Sequence, residues 1–343
     1  MAEDYLDPRD TAWHPRRATE LYGHKPAEAR LLQAHQSGKL HHAWLLSGPK
    51  GIGKATLAYR FAKFLLQVPT AQSARAHSTL HIAPEGHAFR QVAAAAHPDL
   101  LIIERAVDLR AKRLKTEIAV DDARDAQGFF ARTSGAGGWR IAIVDAADDL
   151  NTESANALLK VIEEPPKQSI FLIVCNQPGR LLRTIRSRCL HLPMDPLSAD
   201  DTLKVLRHLP DGAIEAEEGA VHEAAELSRG SPGKALDLIG SRGAAAFGEF
   251  LKRSKLSPAT AVEISAVFSG RETAEDYFIF CELLVGWTAE QARAAGLRGH
   301  GEALARAHDD INASLRQADA LNLDRRQTVT DALMRLEEAL KAS

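Results

Sequence analysis

The sequence predicts an α/β protein built on a five-stranded parallel sheet and continued by helical segments. Five short apolar runs occur up to Leu192, and each is continuous, as strands buried on both faces of a parallel sheet require. Helical patterns separate these runs, and from Leu197 onward helical periodicity continues without a convincing strand. The predicted strands are Ala43 to Leu46, Leu100 to Ile103, Ile141 to Val144, Ile170 to Cys175 and Cys189 to Leu192.

Two amphipathic helices are predicted to cover this sheet. The first, Ala55 to Gln67, follows a Gly-rich turn after the first strand and repeats apolar residues at helical spacing. The second begins at Asn151, a side chain suited to an N-cap, and stops at Pro165-Pro166 because proline cannot continue a helix. Its apolar face comprises Ala155, Leu158, Leu159 and Ile162.

Changes in the sequence pattern divide the chain into three expected domains. These are residues 1–196 with the sheet, a small helical domain at 197–242 and a helical C-terminal domain at 243–343. Residues 68–98 are rich in Ala, His, Ser and Gln and are expected to form an insertion or long loop of unknown role. The last segment carries an apolar stripe that fits either a core or a partner-facing seam, formed by Val329, Leu333, Leu336 and Leu340.

Bulk composition describes a globular protein and excludes several classes. The 343 residues are 45% hydrophobic and 26% charged, and the net charge of -2 gives no global attraction to nucleic acid. Three cysteines without metal-ligand spacing favour a reducing compartment. No signal-peptide core and no run long enough to span a bilayer is found, so a cytoplasmic location is expected.

A phosphate-binding loop is predicted directly after the first strand. The segment fits G-x-x-x-x-G-K and opens a helix, which is the strand-to-helix context that this motif requires. Inward-facing backbone N–H groups and the helix N-terminus attract phosphate, and the lysine adds a mobile positive charge. We therefore expect ATP or ADP at this loop, which comprises Gly48, Pro49, Lys50, Gly51, Ile52, Gly53 and Lys54.

The loop and its surroundings lack two groups that efficient hydrolysis needs. Ala55 stands where a Ser or Thr hydroxyl would coordinate Mg²⁺, and Thr56 lies about 100° further around the helix. Asp145, at the end of the third predicted strand, suits a contact with Mg²⁺-bound water, but Ala146 replaces a water-orienting Glu. Loss of an oriented base costs about 10²–10⁴ in rate. Nucleotide binding with weak support for Mg²⁺ and poor turnover is therefore predicted.

With these motifs in place, the sequence closely resembles the delta-prime subunits of the bacterial DNA polymerase III clamp loader, members of the AAA+ clamp-loader family. The most specific match is the block Asn156 to Pro166, which reads NALLKVIEEPP. Further matches cover the chain from end to end, at Gly38 to Leu45, His97 to Leu100, Ile185 to Cys189 and Leu321 to Asp324. The resemblance implies an AAA+ P-loop domain, a small helical lid domain and an all-helical C-terminal collar domain.

The resemblance also implies a role for Arg188, in the Ser-Arg-Cys segment. In such loaders this arginine reaches in trans into the ATP site of a neighbouring subunit and stabilises the transferring phosphoryl group. A planar, permanently charged guanidinium suits that task because it forms two bonds to phosphate oxygens. The alternative is a surface arginine that pairs with a local carboxylate.

Two further positions have both a functional and a local interpretation. Asn176 matches the sensor-1 position that detects the outer phosphate, and it equally suits a cap for the turn at Gln177-Pro178-Gly179. Lys234 stands where related subunits place a sensor-2 cation, and it equally suits an ordinary lysine in the first turn of a helix.

Two other clusters carry weaker expectations. Many related subunits hold zinc with four cysteines after the P-loop helix, but this chain has no Cys before Cys175, so no structural zinc is expected. The histidines in that stretch, His77, His81, His87 and His97, are interpreted as solvated loop residues. A basic cluster interleaved with acids suits a solvated face better than a DNA contact, and comprises Arg105, Arg110, Lys112, Arg113 and Lys115.

The resulting expectation is a clamp-loader subunit that hydrolyses ATP poorly or not at all. Its implied partners are the other subunits of a hetero-oligomeric ring, the sliding clamp and, through the complex, primed DNA. It would support ATP-dependent loading of the clamp during replication. The alternative is a self-sufficient AAA+ ATPase, either a motor subunit of the same loader or a related remodelling factor, and Ala55 and Ala146 argue against it.

Overall fold

The structure is a computed structural model that describes residues 7–108, 113–132, 138–210, 212–253 and 256–342. Contacts divide the chain into two compact units. The first comprises Met1–Glu215 with Arg229–Lys234, and the second comprises Ala216–Ser228 with Ala235–Ser343. This division is coarser than the three domains expected from the sequence, whose boundaries stay predictions.

The first unit contains the predicted five-stranded parallel sheet, with strand order β2-β5-β6-β1-β7. Each of the five apolar runs forms one of these strands, with ends that differ by one residue or so. A short antiparallel pair, β3 with β4, was not predicted. The strands are β1 Ala43–Ser47, β2 Leu100–Glu104, β3 Val107–Asp108, β4 Arg113–Leu114, β5 Arg140–Asp145, β6 Ser169–Cys175 and β7 Leu190–Pro193.

The apolar runs of β1, β5 and β6 are continuous because both faces of the sheet are buried there, whereas the edge strand β7 is exposed except at Leu192, so its predicted burial on both faces is wrong. Along β1, Trp44 and Leu46 belong to one hydrophobic cluster, whereas Ala43 and Leu45 belong to a second cluster on the opposite face. Successive side chains of a strand point to opposite faces, so a strand between two packed layers needs an apolar residue at every position. The prediction of an α/β fold is confirmed.

Helices pack on both faces of this sheet. The second predicted helix is α6, whose Asn151 N-cap side chain accepts a hydrogen bond from the Ser154 backbone N–H at 2.9 Å, as predicted. The helices of the first unit are α1 Lys25–Gln36, α2 Lys54–Gln67, α3 Ala71–Ala74, α4 His87–Ala93, α5 Val120–Ala131, α6 Thr152–Glu163, α7 Arg183–Arg186 and α8 Ala199–Arg207.

The expectation of a long loop at residues 68–98 is wrong in part. The stretch contains α3 and α4, and Leu80 and Val92 are fully buried in the same cluster as the apolar face of α2. The Leu80 backbone N–H also donates to Glu28 Oε1 at 3.1 Å. Its many Ala and His residues obscured this packing because the apolar positions are too few and too widely spaced to show a period.

The second unit is helical throughout its described residues. Of the predicted C-terminal stripe, Val329, Leu333 and Leu336 are buried in its core, whereas Leu340 is exposed. In the described part of the chain, no helix is both long and apolar enough to cross a membrane. After α9 Glu218–Leu227 and α10 Pro232–Leu238, which begins in the first unit, come α11 Arg242–Lys252, α12 Pro258–Ser265, α13 Ala274–Gly296, α14 Glu302–Leu321 and α15 Arg325–Ala342.

Candidate nucleotide site and a surface arginine

The phosphate-binding loop joins β1 to α2, as its sequence context predicts. Gly51 and Gly53 have φ angles of 78° and 105°, in the left-handed region where other residues are strained. The Gly48 backbone N–H donates to the Cys175 carbonyl at 3.3 Å and so ties the start of the loop to the end of β6. The glycines are therefore required by the backbone path of the loop itself.

Lys54 is the first residue of α2, and its side chain turns back onto the loop. Its ammonium group donates to the carbonyl oxygens of Gly48 and Pro49 at 2.8 and 2.5 Å, and the residue is only 3% exposed. Burial lowers the pKa of Lys54 to about 8, although the carboxylates of Asp145 and Asp148 oppose this shift. The loop thus holds a partly desolvated cation that an incoming phosphate would stabilise.

Asp145 lies at the carboxyl end of β5 and shares the electrostatic environment of Lys54. Burial raises the pKa of Asp145 to about 6, and the positive charge of Lys54 only partly offsets that shift. Ala55, on α2, has a methyl group where a hydroxyl would coordinate Mg²⁺, and Ala146, directly after Asp145, has one where a carboxylate would orient water. Thr56 follows Ala55 on α2 and is half-buried. The structure therefore brings the Lys54 cation close to the carboxylates of Asp145 and Asp148.

A segment far along the chain lies directly on the loop. Ser231 Oγ donates to the Lys50 carbonyl at 2.9 Å, and the Gly233 backbone N–H donates to the Gly51 carbonyl at 3.0 Å. The backbone N–H of Lys234 in turn donates to Ser231 Oγ at 3.1 Å, which places Lys234 next to the loop. Sequence reasoning singled out Lys234 but missed Ser231, because a contact across about 180 residues leaves no local signal.

His24, at the start of α1, was also missed. Its Nε2 lies 2.6 Å from the Ile52 carbonyl oxygen, and burial lowers the pKa of the ring. A neutral imidazole that donates from Nε2 satisfies this loop carbonyl. The motif G-x-x-x-x-G-K does not specify which residue elsewhere in the chain contacts its variable positions. His24 is therefore identified only by its contact in the folded structure.

Asn176 follows β6, and its backbone is held by Asp148. The carboxylate of Asp148 accepts the backbone N–H groups of Asn176 at 2.5 Å and Gln177 at 2.6 Å, and the Cys175 thiol donates to it at 3.2 Å. Asp148 lies in a short 3₁₀ turn, Ala147–Asp149, just after β5. The turn that begins at Gln177 is thus held by Asp148, a residue that sequence reasoning missed.

Arg188 lies between α7 and β7, with its side chain 39% exposed. Its guanidinium pairs with Glu163 Oε1 at 2.8 Å and donates to the Thr184 carbonyl at 3.0 Å. Within the described part of the chain, its side-chain partners are Glu163, Thr184 and Ser187, and none of these belongs to the phosphate-binding loop. The local carboxylate of the alternative interpretation is therefore present, and it is the last residue of α6.

The remaining predicted clusters have ordinary local contacts where the structure describes them. Arg105 pairs with Asp149 at 3.0 Å, whereas Arg110 and Lys112 lie outside the described residues. His77 packs edge-on against Phe64, and His97 Nδ1 accepts the Asp99 backbone N–H at 3.1 Å. Over the described ranges, no group of three or more His, Cys, Asp or Glu residues is arranged to hold a metal ion.

Comparisons with known proteins agree with these motifs. The family model described as DNA polymerase III, delta subunit, matches residues 23–198. The DNA polymerase III subunit delta' of Pseudomonas aeruginosa is 39% identical over 201 residues, which are 58% of this chain and 56% of that relative. The Escherichia coli subunit delta' is 31% identical over 218 residues, which are 63% and 59% of the two chains.

The similarity extends to other subunits of the same polymerase. The gamma subunit of Buchnera aphidicola is 28% identical over 229 residues, which are 66% of this chain and 58% of that relative. The chain thus matches somewhat more than half the length of these relatives. A Thermotoga maritima protein related to the gamma subunit aligns with a TM-score of 0.45 at 14% identity over 91% of this chain and 97% of that chain, a likeness too slight to support an argument.

The family model covers more than half of the chain, including the phosphate-binding loop, Asp145 and Arg188, and the protein therefore belongs to the DNA polymerase III delta subunit family.

Proposed function

We propose that the protein is a delta-prime-type clamp-loader subunit that donates Arg188 in trans to the ATP site of a neighbouring subunit. In this role it supports ATP-dependent loading of the sliding clamp onto primed DNA. The observation that carries the proposal is the position of Arg188 in the family-matched region, with an exposed guanidinium that has no contact with the chain's own phosphate-binding loop. Its partners are the other subunits of a hetero-oligomeric ring and, through them, the clamp and DNA.

The chain's own loop is proposed to bind ATP or ADP without efficient hydrolysis. Gly48, Gly51 and Gly53 shape the loop, and Lys54 supplies the charge for the outer phosphates. Asn176 and Lys234 are proposed to contact the nucleotide as sensors. Ala55 and Ala146 provide neither a metal ligand nor a group that orients water, so Mg²⁺ has weak support and no zinc is expected.

Arg188 acts on another subunit's nucleotide by charge stabilisation. A phosphoryl group that leaves ATP spreads negative charge over its oxygens, and a guanidinium that enters from outside neutralises this charge with two parallel hydrogen bonds. Arginine is better suited than lysine because its charge is permanent and its donors form a fixed fork. An exposed position between α7 and β7 suits such a reach across an interface.

The test replaces Arg188 in the reconstituted loader. An arginine that acts in trans contributes about 10³–10⁵ in rate, so Arg188→Ala should silence the one ATP site that it faces while assembly stays normal. Arg183→Ala is the matched control, because Arg183 is an exposed arginine on the neighbouring helix α7. Clamp-stimulated ATP turnover and native mass spectrometry are the measurements. Equal turnover for both variants, with normal assembly, contradicts the proposal.

A second candidate function is a self-sufficient ATPase of the same loader. The similarity to gamma and tau subunits and the intact Lys54 favour it. The purified chain alone would then hydrolyse ATP at the rate of ordinary P-loop ATPases, and Lys54→Ala would abolish that activity. Under the favoured proposal the isolated chain shows no such turnover, and nucleotide retained by the chain is detected by native mass spectrometry instead.

A further inference from the structure

The ion pair between Arg188 and Glu163 couples the proposed catalytic arginine to the NALLKVIEEPP block. Glu163 Oε1 lies 2.8 Å from Arg188 NH2, and the two side chains are 41% and 39% exposed. The second guanidinium nitrogen, NH1, donates to the Thr184 carbonyl at 3.0 Å. The guanidinium is therefore held at two points at the surface, and one of its partners carries a full negative charge.

Glu163 occupies a position that is unfavourable for the helix itself. It is the last residue of α6, where the carbonyl ends of the helix present partial negative charge and acidic side chains are destabilising. Glu164 adds a second carboxylate at the same end. Helix stability therefore does not account for an acid at this position, whereas contact with Arg188 does.

The pair also sets the charge of an adjoining groove. A groove of about 270 Å³ runs beside Arg188, and among the eight described residues that line it Arg188 is the one Lys or Arg and Glu163 the one Asp or Glu. His42, stacked on His41, also lines it, and burial lowers the pKa of His42 below its ordinary value. With the pair closed, the carboxylate of Glu163 offsets the charge of the guanidinium in this groove.

We propose that Glu163 is a latch that holds the Arg188 guanidinium until the nucleotide phosphates of the neighbouring subunit replace its carboxylate. This inference rests on the proposed function of Arg188. It makes Glu163 a positioning residue that suppresses turnover in the resting loader. Opening the pair leaves both charges in the groove but releases the guanidinium from the carboxylate, and the freed guanidinium then faces the incoming phosphoryl oxygens.

The exposure of the pair limits how strong this latch is. Exposed ion pairs contribute about 0.2–1 kcal/mol, which corresponds to about a 1.4- to 5-fold change in an equilibrium constant. Glu163 contacts one guanidinium nitrogen, whereas a phosphate group can accept two parallel bonds from the fork, so the phosphate group displaces the carboxylate once the interface closes. Removing the carboxylate should therefore raise the population of free guanidinium by at most about 5-fold.

The experiment compares Glu163→Gln with Glu164→Gln in the reconstituted loader. Both variants remove one negative charge from the same helix end, but among the described residues Glu164 has no ion-pair partner, whereas Glu163 pairs with Arg188. Without clamp and DNA, Glu163→Gln should raise ATP turnover by about 1.4- to 5-fold, whereas Glu164→Gln should not. The double variant Glu163→Gln with Arg188→Ala should match Arg188→Ala alone.

A second readout separates the latch from the role of Arg188 in catalysis. Phenylglyoxal modifies accessible guanidinium groups, and peptide mass spectrometry of the isolated chain reports the rate at each arginine. Glu163→Gln should speed modification of Arg188 by about 1.4- to 5-fold and leave Arg183 unchanged. Thermal unfolding of both Gln variants checks that the fold is retained.

The outcomes are distinguishable. Basal turnover and Arg188 reactivity that both rise only in Glu163→Gln support the latch. Turnover that is unchanged or lower in Glu163→Gln, together with a silent site in Arg188→Ala, overturns the latch and leaves the proposed function standing. Unchanged turnover in Arg188→Ala overturns the proposed function and the latch together.

Discussion

Asp148 is the residue whose removal most directly tests the geometry of the nucleotide site. Its carboxylate accepts the backbone N–H groups of Asn176 and Gln177 at 2.5 and 2.6 Å and links the segment after β5 to the segment after β6. Asp148→Ala removes both acceptors without changing the sheet. Asn176 then loses the contact that fixes its backbone next to the phosphate-binding loop.

The magnitude follows from these two bonds. A hydrogen bond to a charged group contributes about 1.5–3 kcal/mol, and the exposed position of Gln177 favours the lower end because water replaces the lost acceptor. Asp148→Ala should therefore lower the free energy of unfolding by about 3 kcal/mol. Asp149→Ala is the matched control, because that carboxylate pairs with Arg105 at 3.0 Å in a partly exposed position and contributes at most about 1 kcal/mol.

Hydrogen exchange measures the local effect on the Asn176 and Gln177 amides, and thermal unfolding measures the effect on the stability of the whole unit. A local loss of about 3 kcal/mol speeds exchange of the Asn176 and Gln177 amides by about 10²-fold. If the whole first unit unfolds cooperatively, its midpoint falls by about 6–12 °C, since about 1 kcal/mol shifts a unit of this size by 2–4 °C. Equal effects of Asp148→Ala and Asp149→Ala would contradict the role of Asp148 in holding the backbone of Asn176 and Gln177.

Two other predictions concern the phosphate-binding loop. The pKa of Lys54, about 8, lies below its unfolded value of 10.5, so the stability that it contributes is present above pH 10.5 and is lost as pH falls through 8. The free energy of unfolding of Lys54→Met, measured in urea, should therefore rise by about 2 kcal/mol relative to that of wild type as the pH falls from 10 to 8. A difference between the two proteins that does not depend on pH would contradict the lowered pKa of Lys54. Gly233→Ala places a Cβ 2.9 Å from Gly51 Cα and should lower the free energy of unfolding by about 1–3 kcal/mol. Gly128→Ala, in open space within α5, should instead raise it by about 0.5–1 kcal/mol. The same unfolding assay compares them, and shifts of the same sign would contradict the packing of residues 231–234 on the loop.

The fold of the first unit was largely predictable because its signals are local. Continuous apolar runs mark strands that are buried on both faces, and the Asn151 cap and Pro165-Pro166 mark the two ends of α6. The stretch 68–98 was misjudged because its buried residues, such as Leu80 and Val92, contact α2 without forming a periodic pattern. Packing between segments that are distant in the sequence cannot be predicted from the pattern of residues within either segment.

The parallel sheet, the glycine-rich loop after its first strand and the family of the chain could all be recognised from the order of residues alone. The same order of residues predicts that Ala55 and Ala146 stand where hydrolysis needs a hydroxyl and a carboxylate. The contact of Ser231 with the loop and the ion pair of Glu163 with Arg188 are visible only in the folded chain. Motifs record backbone requirements between neighbours in sequence, whereas a hydrogen bond or ion pair between distant residues depends on where the folded chain places both partners.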